Sequence, residues 1–335
     1  MNILFMIGNG FDLNFGLKTR FSDFFTRYTS ILNKCPNIKK FKEVIDDDIS
    51  TWADFEMRLG RYTQDFTPVT KEIFLSCIDD FEKEFIKYLK EEELKIDYGK
   101  HGAEILPVFQ NSLVDYFSRL EDGSKNAIGK SYAKAGYPPC MYNFISFNYT
   151  NILDSCLDIV RKTMLSRKLP NGRSNANSVG RILHIHGTLD KHMLIGVDNA
   201  SQIENTALAS DKEFAKLFLK PSMNDNLRNG IHEDGAGLVN ASTIICVFGM
   251  SLGETDKHWW QKLGEWLGVA EIRQLVIFHY EKDYIPASAR ESIRFADDIS
   301  NLFFDRADIS DADRADLRPR IHVGLNTNLF KVDWA

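Results

Sequence analysis

Two closely spaced glycines, Gly8 and Gly10, follow an apolar run near the start of the chain and could bring a phosphate against the backbone. The run, residues 3–7, is typical of a buried parallel strand. Glycine in the following turn lets the main chain approach a ligand closely, and exposed amides there can bind a phosphate. A third glycine, Gly16, comes too late for the common dinucleotide-binding fingerprint. The segment alone also fits a plain strand-to-loop turn.

Three further segments carry polar residues where predicted strands end. They are Phe-Asn-Tyr-Thr at 147–150, His-Gly at 186–187, and Phe-Gly-Met-Ser-Leu-Gly at 248–253. In the last segment, the loop amides, the Ser251 hydroxyl and the start of a following helix suit a phosphate. Ligands of parallel sheets bind at the carboxyl ends of the strands, so we expect all four loops to meet at one site.

The elements that position these loops alternate along the chain. Strands are predicted at 142–148, 181–186, 192–197, 243–248, 274–279 and 320–325, and helices at 150–164, 211–219 and 254–267. The apolar strand 243–248 is expected at the sheet centre. Between residues 21 and 135, apolar residues recur at helical spacing, as from Phe74 to Tyr88. This pattern predicts an α/β fold, a doubly wound, mainly parallel Rossmann-like sheet built from 1–20 and 136–335, with an all-helical insertion at 21–135.

The composition excludes several classes of protein. The 335 residues are 44% hydrophobic and carry a formal net charge of -6, so no bulk attraction to nucleic acid or anionic membrane is expected. The five cysteines form no Cys-x-x-Cys pair, which favours reduced thiols in the cytoplasm and argues against structural zinc. The first apolar run is too short for a signal peptide or a membrane span, and no later stretch reaches spanning length.

Taken in order, the motifs resemble the sirtuin-type NAD-binding fold and, more closely, the AbiH family of bacterial abortive-infection proteins. The AbiH resemblance lies in Ile-Gly-Asn-Gly-Phe-Asp-Leu at 7–13, Ser-Asp-Phe at 22–24, Phe-Asn-Tyr-Thr at 147–150 and His-Ile-His-Gly at 184–187. The spacing of the three early glycines, followed by Leu17 and Thr19, is similar to the sirtuin opening loop. The resemblance spans residues 1 to about 280.

This resemblance implies hydrolysis of the nicotinamide–ribose bond of NAD, with Asn148 and His186 as catalytic residues. Nicotinamide leaves as a neutral molecule, so no general acid is required; an amide can orient water and a histidine can accept its proton. The implied NAD-binding residues are Gly8, Asn9, Gly10, Phe11, Asp12, Thr19, Tyr149, Thr150, Gly187, Gly249, Ser251 and Leu252. NAD is the substrate or ligand, no other cofactor is required, and no metal is expected.

The chain departs from the sirtuin pattern at three points. Thr150 stands where sirtuins have an aspartate that recognises the nicotinamide amide. Asp12 replaces a serine and would put a negative charge near a phosphate unless it faces elsewhere. The four-cysteine zinc module is absent, which disfavours protein deacylation and favours hydrolysis of a free nucleotide.

The resemblance implies an anti-phage effector that stays inactive or weak until a phage-derived or host trigger, or assembly of a homo-oligomer, activates it. The helical insertion would cover the cleft, form oligomers or sense the trigger. Two alternatives are a nucleotide-binding sensor without turnover and a toxin acting on nucleic acid. The toxin would use the basic segment 161–181, which is predicted to be a mobile loop.

Several of these residues also have purely structural interpretations. Asn148 could cap the following helix. His184 and His186 could lie on one face of a strand as metal ligands, or His186 could be an ordinary buried histidine. The acidic residues at 46–48 and 308–316 fit a solvated surface better than a calcium site. The run His-Trp-Trp at 258–260 fits core packing.

Overall fold

The computed structural model describes residues 1–32, 35–45, 52–169, 172–228 and 230–333. The acidic run Asp46 to Asp48 lies outside these residues. Strands and helices follow one another as the sequence predicts, so the fold is mixed α/β. Within the described ranges, no helix combines the length and the apolar character needed to cross a membrane.

Seven strands of the described chain form one sheet, in the order β3-β4-β2-β1-β5-β6-β7. They are β1 (Asn2–Ile7), β2 (Met141–Ser146), β3 (Leu165–Lys168), β4 (Ser174–His184), β5 (Ile244–Phe248), β6 (Gln274–His279) and β7 (Ile321–Leu325). β3 pairs antiparallel with β4, and the other neighbours pair in parallel. The predicted mainly parallel sheet is confirmed, whereas a sirtuin-like winding stays a prediction.

β1 is the central strand, and its side chains alternate between two cores. Ile3, Phe5 and Ile7 point to one face of the sheet and Leu4 and Met6 to the other. Residues 3–7 are fully buried, as expected for a strand covered on both faces. β5 lies beside β1, so the predicted central strand is interior but one position from the centre.

Fifteen α-helices occur among the described residues. They are α1 (Gly10–Asn14), α2 (Phe21–Ser30), α3 (Pro36–Val44), α4 (Trp52–Tyr62), α5 (Lys71–Glu93), α6 (Tyr98–Val114), α7 (Asp122–Lys134), α8 (Ile152–Arg161), α9 (Thr206–Ala209), α10 (Lys212–Phe218), α11 (Lys220–Leu227), α12 (Ile231–Ala241), α13 (Lys257–Val269), α14 (Ala289–Arg306) and α15 (Asp311–Leu317). Helices α1, α6, α7 and α8 pack on one face of the sheet, and α12 to α15 on the other. Trp259 and Trp260 of α13 are buried in the second of these layers, which confirms their predicted core position.

A separate core joins helices α2 to α5 to residues 189–219, which include α9 and α10. At its centre, the ring of Phe55 stacks between Phe21 and Phe81, with centroid distances of 4.5 and 4.4 Å. We call this unit the helical layer. Helices α6 and α7 pack on the sheet instead, although they belong to the same predicted insertion. The division into two domains stays a prediction.

Two predictions about secondary structure are wrong. Residues 192–197 form no strand, because their apolar side chains Met193 and Ile195 fill the helical layer, and only Val197 makes an isolated bridge. The described part of the basic segment 161–181 is not a loop throughout, since β3 and β4 form an antiparallel hairpin there. Both differences come from tertiary packing that local composition does not reveal.

Candidate functional site

A cavity of about 690 Å³ lies where β1, β2, β5, β6 and β7 end, next to the loop after β4. Its volume falls in the range of small-molecule sites, roughly 300–1,000 Å³. Of the predicted site residues, those that line it are Gly8, Asn9, Gly10, Asp12, Thr19, Asn148, Tyr149, Thr150, His186, Gly249, Ser251 and Leu252. From the helical layer, Phe21, Phe85 and Leu89 close the opposite side. The structure thus brings the four predicted loops together under helices.

Phe11 and Gly187 were predicted to bind NAD, but neither lines the cavity. Phe11 is fully buried and packs its ring against Phe15, Phe109 and Phe330, because it lies on the apolar side of α1. Gly187 has a φ of +76°, and a Cβ there would lie 1.8 Å from the His192 carbonyl oxygen. Glycine is required at 187 by the turn itself.

The early glycines serve a contact between two loops. A Cβ on Gly8 would lie 2.6 Å from the Gly249 carbonyl oxygen, and one on Gly10 would lie 2.6 Å from Gly249 Cα. Gly8 N–H donates to the Phe248 carbonyl and Gly10 N–H to the Gly249 carbonyl, both at 2.9 Å. These two amides are therefore already bonded within the protein, whereas phosphate binding by the rest of the turn stays a prediction.

The loop after β5 is the better place for an anion. The N–H groups of residues 250–253 donate to no atom of the described chain, and these residues line the cavity. Gly249 and Leu252 both have positive φ values, +69° and +53°, so the backbone turns sharply there. Ser251 is exposed to the cavity, whereas the Leu252 side chain is buried. Consecutive free amides in such a turn suit an anion.

Asn148 is fixed by hydrogen bonds that leave one atom free. Its Nδ2 donates to the Gly8 carbonyl at 3.1 Å and to Asp12 Oδ1 at 2.9 Å. Both amide protons are therefore used, and no donor of the described residues bonds Oδ1. Helix α8 begins later, at Ile152, with Asn151 in the capping position, so Asn148 does not cap it. An oriented amide oxygen that faces a cavity can accept a hydrogen bond from water or a sugar hydroxyl.

The Asp12 carboxylate is bonded to two side chains of the loop after β2. Its Oδ2 accepts a hydrogen bond of 2.7 Å from Thr150 Oγ1, and its side chain is buried. Burial raises the pKa of Asp12 to about 7, against the smaller opposing effects of the hydrogen bonds from Thr150 and Asn148. Asp12 therefore orients the side chains of Asn148 and Thr150 in the loop after β2. Nearby, Thr19 and Asn9 bond each other at 2.6 Å and tie the opening loop to the start of the helical layer.

The two histidines have different partners. His184 Nε2 lies 2.8 Å from Asp154 Oδ2, and its Nδ1 lies 3.1 Å from the Asn148 carbonyl oxygen. Burial works against the charged form of His184, but Asp154 and the carbonyl outweigh it and raise the pKa. His186 follows the end of β4, and its Nε2 lies 3.3 Å from Asp256 Oδ1 without hydrogen-bond alignment. The described residues hold no group of three metal-ligating side chains.

Sequence reasoning missed a set of charged residues around His186. Burial opposes the ionised form of Asp256, but the Lys220 charge and contact with His186 together lower its pKa. Lys220 is 1% exposed and pairs with Glu56, which also lines the cavity. No local signal marks these residues, since lysine and glutamate on helices are usually solvated. His279, Tyr280, Asn326 and Thr327, after β6 and β7, were missed as lining residues too.

With the cavity described, its sequence motifs can be compared with known families. The family model for bacteriophage abortive infection AbiH matches residues 4–278. The chain belongs to the AbiH family. Membership implies a role in abortive infection of bacteriophage. The matched residues extend from β1 to β6. They include all of the cavity loops that follow β1, β2 and β5, together with His186. A comparison with curated proteins finds no match.

Proposed function

We propose that this AbiH protein binds NAD in the cavity and hydrolyses its nicotinamide–ribose bond during phage infection. One observation carries the proposal: a fixed amide with a free oxygen, Asn148, and a carboxylate-paired imidazole, His186, line the same cavity. These are the two groups needed to orient a water and to accept its proton.

The reaction breaks the bond between the ribose C1′ and the pyridinium nitrogen, and the electron pair neutralises the nitrogen. Water adds to C1′, and its proton passes to His186, giving nicotinamide and ADP-ribose. Asn148 Oδ1 accepts a hydrogen bond from this water or from a ribose hydroxyl. The cationic pyridinium and the oxocarbenium character of the transition state both favour a negative environment, which Glu56 and Asp256 supply at the cavity wall.

Phosphate binding falls to a different part of the cavity. The free amides of residues 250–253 and the Ser251 hydroxyl form an anion-binding turn. Arg20, at the start of α2, also lines the cavity and brings a positive charge. The apolar side chains of Phe21, Phe85 and Leu89 exclude bulk water on the side of the helical layer.

Three of the six cations in the basic segment are engaged within the protein, which weakens the nucleic-acid alternative. Arg161 pairs with Asp158 at 2.9 Å, and Arg181 pairs with Asp234 at 2.5 Å. Arg167 lies over the Tyr132 ring, 3.8 Å from its centroid. These three cations are engaged within the protein and form no free basic patch.

The direct test is incubation with NAD and chromatographic detection of nicotinamide and ADP-ribose, with purified protein alone and after addition of extract from phage-infected cells. We expect turnover in the wild type, lowered about 100-fold or more by Asn148→Ala and by His186→Ala. His258→Ala, at an exposed histidine outside the cavity, is the matched control.

Absence of product from the wild type under both conditions overturns the enzyme proposal. The nucleotide-binding sensor is the alternative in that case. Calorimetric NAD binding that survives His186→Ala, without product, would identify it.

A further inference from the structure

A buried ion pair connects the helical layer to the surroundings of His186. Lys220 Nζ lies 2.8 Å from Glu56 Oε2, and the two side chains are 2% and 9% exposed. Asp198 Oδ1 lies 4.0 Å from the same ammonium. Glu56 belongs to α4, whereas Lys220 begins α11, so the contact joins residues far apart in the chain.

Three carboxylates, those of Glu56, Asp198 and Asp256, act on the single ammonium of this cluster. Burial raises the pKa of Asp198 to about 8, although the Lys220 charge opposes the change, so Asp198 is mostly protonated at neutral pH. Glu56 and Asp256 then share the single charge of Lys220. Asp256 lies on the side of the cluster that contacts His186, with its Oδ1 3.3 Å from His186 Nε2.

Stability does not explain why a lysine occupies this position. Replacing a buried ion pair by apolar residues of similar size is often neutral or stabilising. Two buried oxygens of the cluster, Asp198 Oδ2 and Asp256 Oδ1, also make no hydrogen bond within the described chain. Carboxylates that lack part of their hydrogen bonds beside a cavity are better explained by a role in binding or catalysis there.

We propose that Lys220 is a positioning residue that acts on His186 through Asp256. Its ammonium, held by Glu56, balances the Asp256 carboxylate, and Asp256 lies against the His186 imidazole at the cavity wall. When His186 takes the proton of the attacking water, the same carboxylate stabilises the imidazolium. The inference rests on the proposed function, because it assigns Lys220 a place in the same reaction.

A double-mutant cycle with NAD as substrate tests the route through Asp256. We expect Lys220→Met to lower kcat about 10-fold or more with KM changed less than about 3-fold. In the Asp256→Asn background, the same substitution should cost little further activity, since its effect is already lost. Equal losses in both backgrounds, or a change in KM alone, overturn the proposal.

A second readout does not depend on turnover. The pH titration of the His186 imidazole resonance is followed by NMR in the same four proteins. Lys220→Met should change the titration midpoint in the wild-type background and change it much less beside Asp256→Asn. An unchanged midpoint in the wild-type background contradicts the inference even if the protein never hydrolyses NAD. A wild type without turnover that shows the expected midpoints contradicts only the proposed function.

Two further variants separate positioning from folding. Lys71→Met is the matched control, because Lys71 pairs with Asp211 at 2.7 Å within the helical layer but outside the cavity. It should leave kcat and the His186 midpoint unchanged. The double variant Glu56→Gln/Lys220→Met removes both charges of the ion pair, so neither residue is left as an unpaired buried charge. It should therefore melt near the wild-type temperature and still hydrolyse NAD more slowly than the wild type. Recovery of full kcat in this protein would overturn the positioning role.

Discussion

The two candidate catalytic side chains are held by different forces. Asn148 is fixed by hydrogen bonds to Asp12 of α1 and to the Gly8 backbone carbonyl, both at the edge of the sheet. His186 instead lies against Asp256, in a cluster whose other charged members include Glu56 and Lys220. One side of the site is therefore a local hydrogen-bond network, and the other is a network of charges that reaches into the helical layer.

This difference predicts how each side responds to change. Hydrogen bonds lose their strength within a fraction of an ångström, so the Asn148 side depends on local geometry. Buried charges act over longer distances because little water screens them, so the His186 side depends on residues that do not touch it. Changes in the helical layer should affect His186 and leave Asn148 in place.

The largest expected effect comes from removing Asp12. Asp12→Ala leaves Asn148 Nδ2 and Thr150 Oγ1 without their acceptor in a buried position. We expect the free energy of unfolding in urea at pH 7 to fall by about 3 to 5 kcal/mol and NAD turnover to fall about 100-fold or more. Asp311→Ala, at an exposed carboxylate, is the control. Full turnover in Asp12→Ala would show that Asn148 needs no anchor.

A smaller effect should appear in the pH dependence of stability. The pKa of Asp12 is about 7 in the folded protein and near 3.8 in the unfolded chain, so the folded state keeps this proton over a higher pH range. The contribution of Asp12 to the free energy of unfolding is therefore fully present below about pH 4 and is lost as the pH rises through 7. Relative to Asp12→Asn, the wild type should lose up to about 4 kcal/mol between these limits, at about 1.4 kcal/mol for each pKa unit.

Denaturant unfolding of both proteins at several pH values measures this difference. The comparison with Asp12→Asn removes the contributions of Asp198 and the histidines, which both proteins share. A difference that stays constant from pH 4 to 8 would falsify the assignment of a raised pKa to Asp12.

The sheet-edge side of the site could be predicted from the sequence, and the charged side could not. Parallel strands bring their carboxyl ends to one edge, so loops such as 8–10 and 147–150 had to meet. Asp12 lies in a predicted loop, but its inward direction depends on Thr150, which sequence spacing does not show. Lys220 and Glu56 are 164 residues apart in sequence, and no local pattern indicates their pairing.

The helical layer shows the same limit at the level of secondary structure. The helix predicted around residues 74–88 is confirmed as α5, because its apolar spacing is local information. Residues 192–197 look like a strand, yet Met193 and Ile195 pack among the aromatic side chains of the helical layer. An apolar run indicates that a segment is buried. Its conformation depends on which part of the protein packs against it.

The smallest expected effect separates phosphate binding from both sides of the site. Ser251 lies in the turn of free amides, away from the partners of Asn148 and His186, so Ser251→Ala removes one donor to the proposed phosphate position. We expect KM for NAD to rise about 3- to 10-fold, near 1 kcal/mol, with kcat unchanged. Ser210→Ala, at an exposed serine outside the cavity, should change neither constant. A fall in kcat at constant KM in Ser251→Ala would show that this hydroxyl acts on the reacting groups. The turn of free amides would then not be separate from the sides that hold Asn148 and His186.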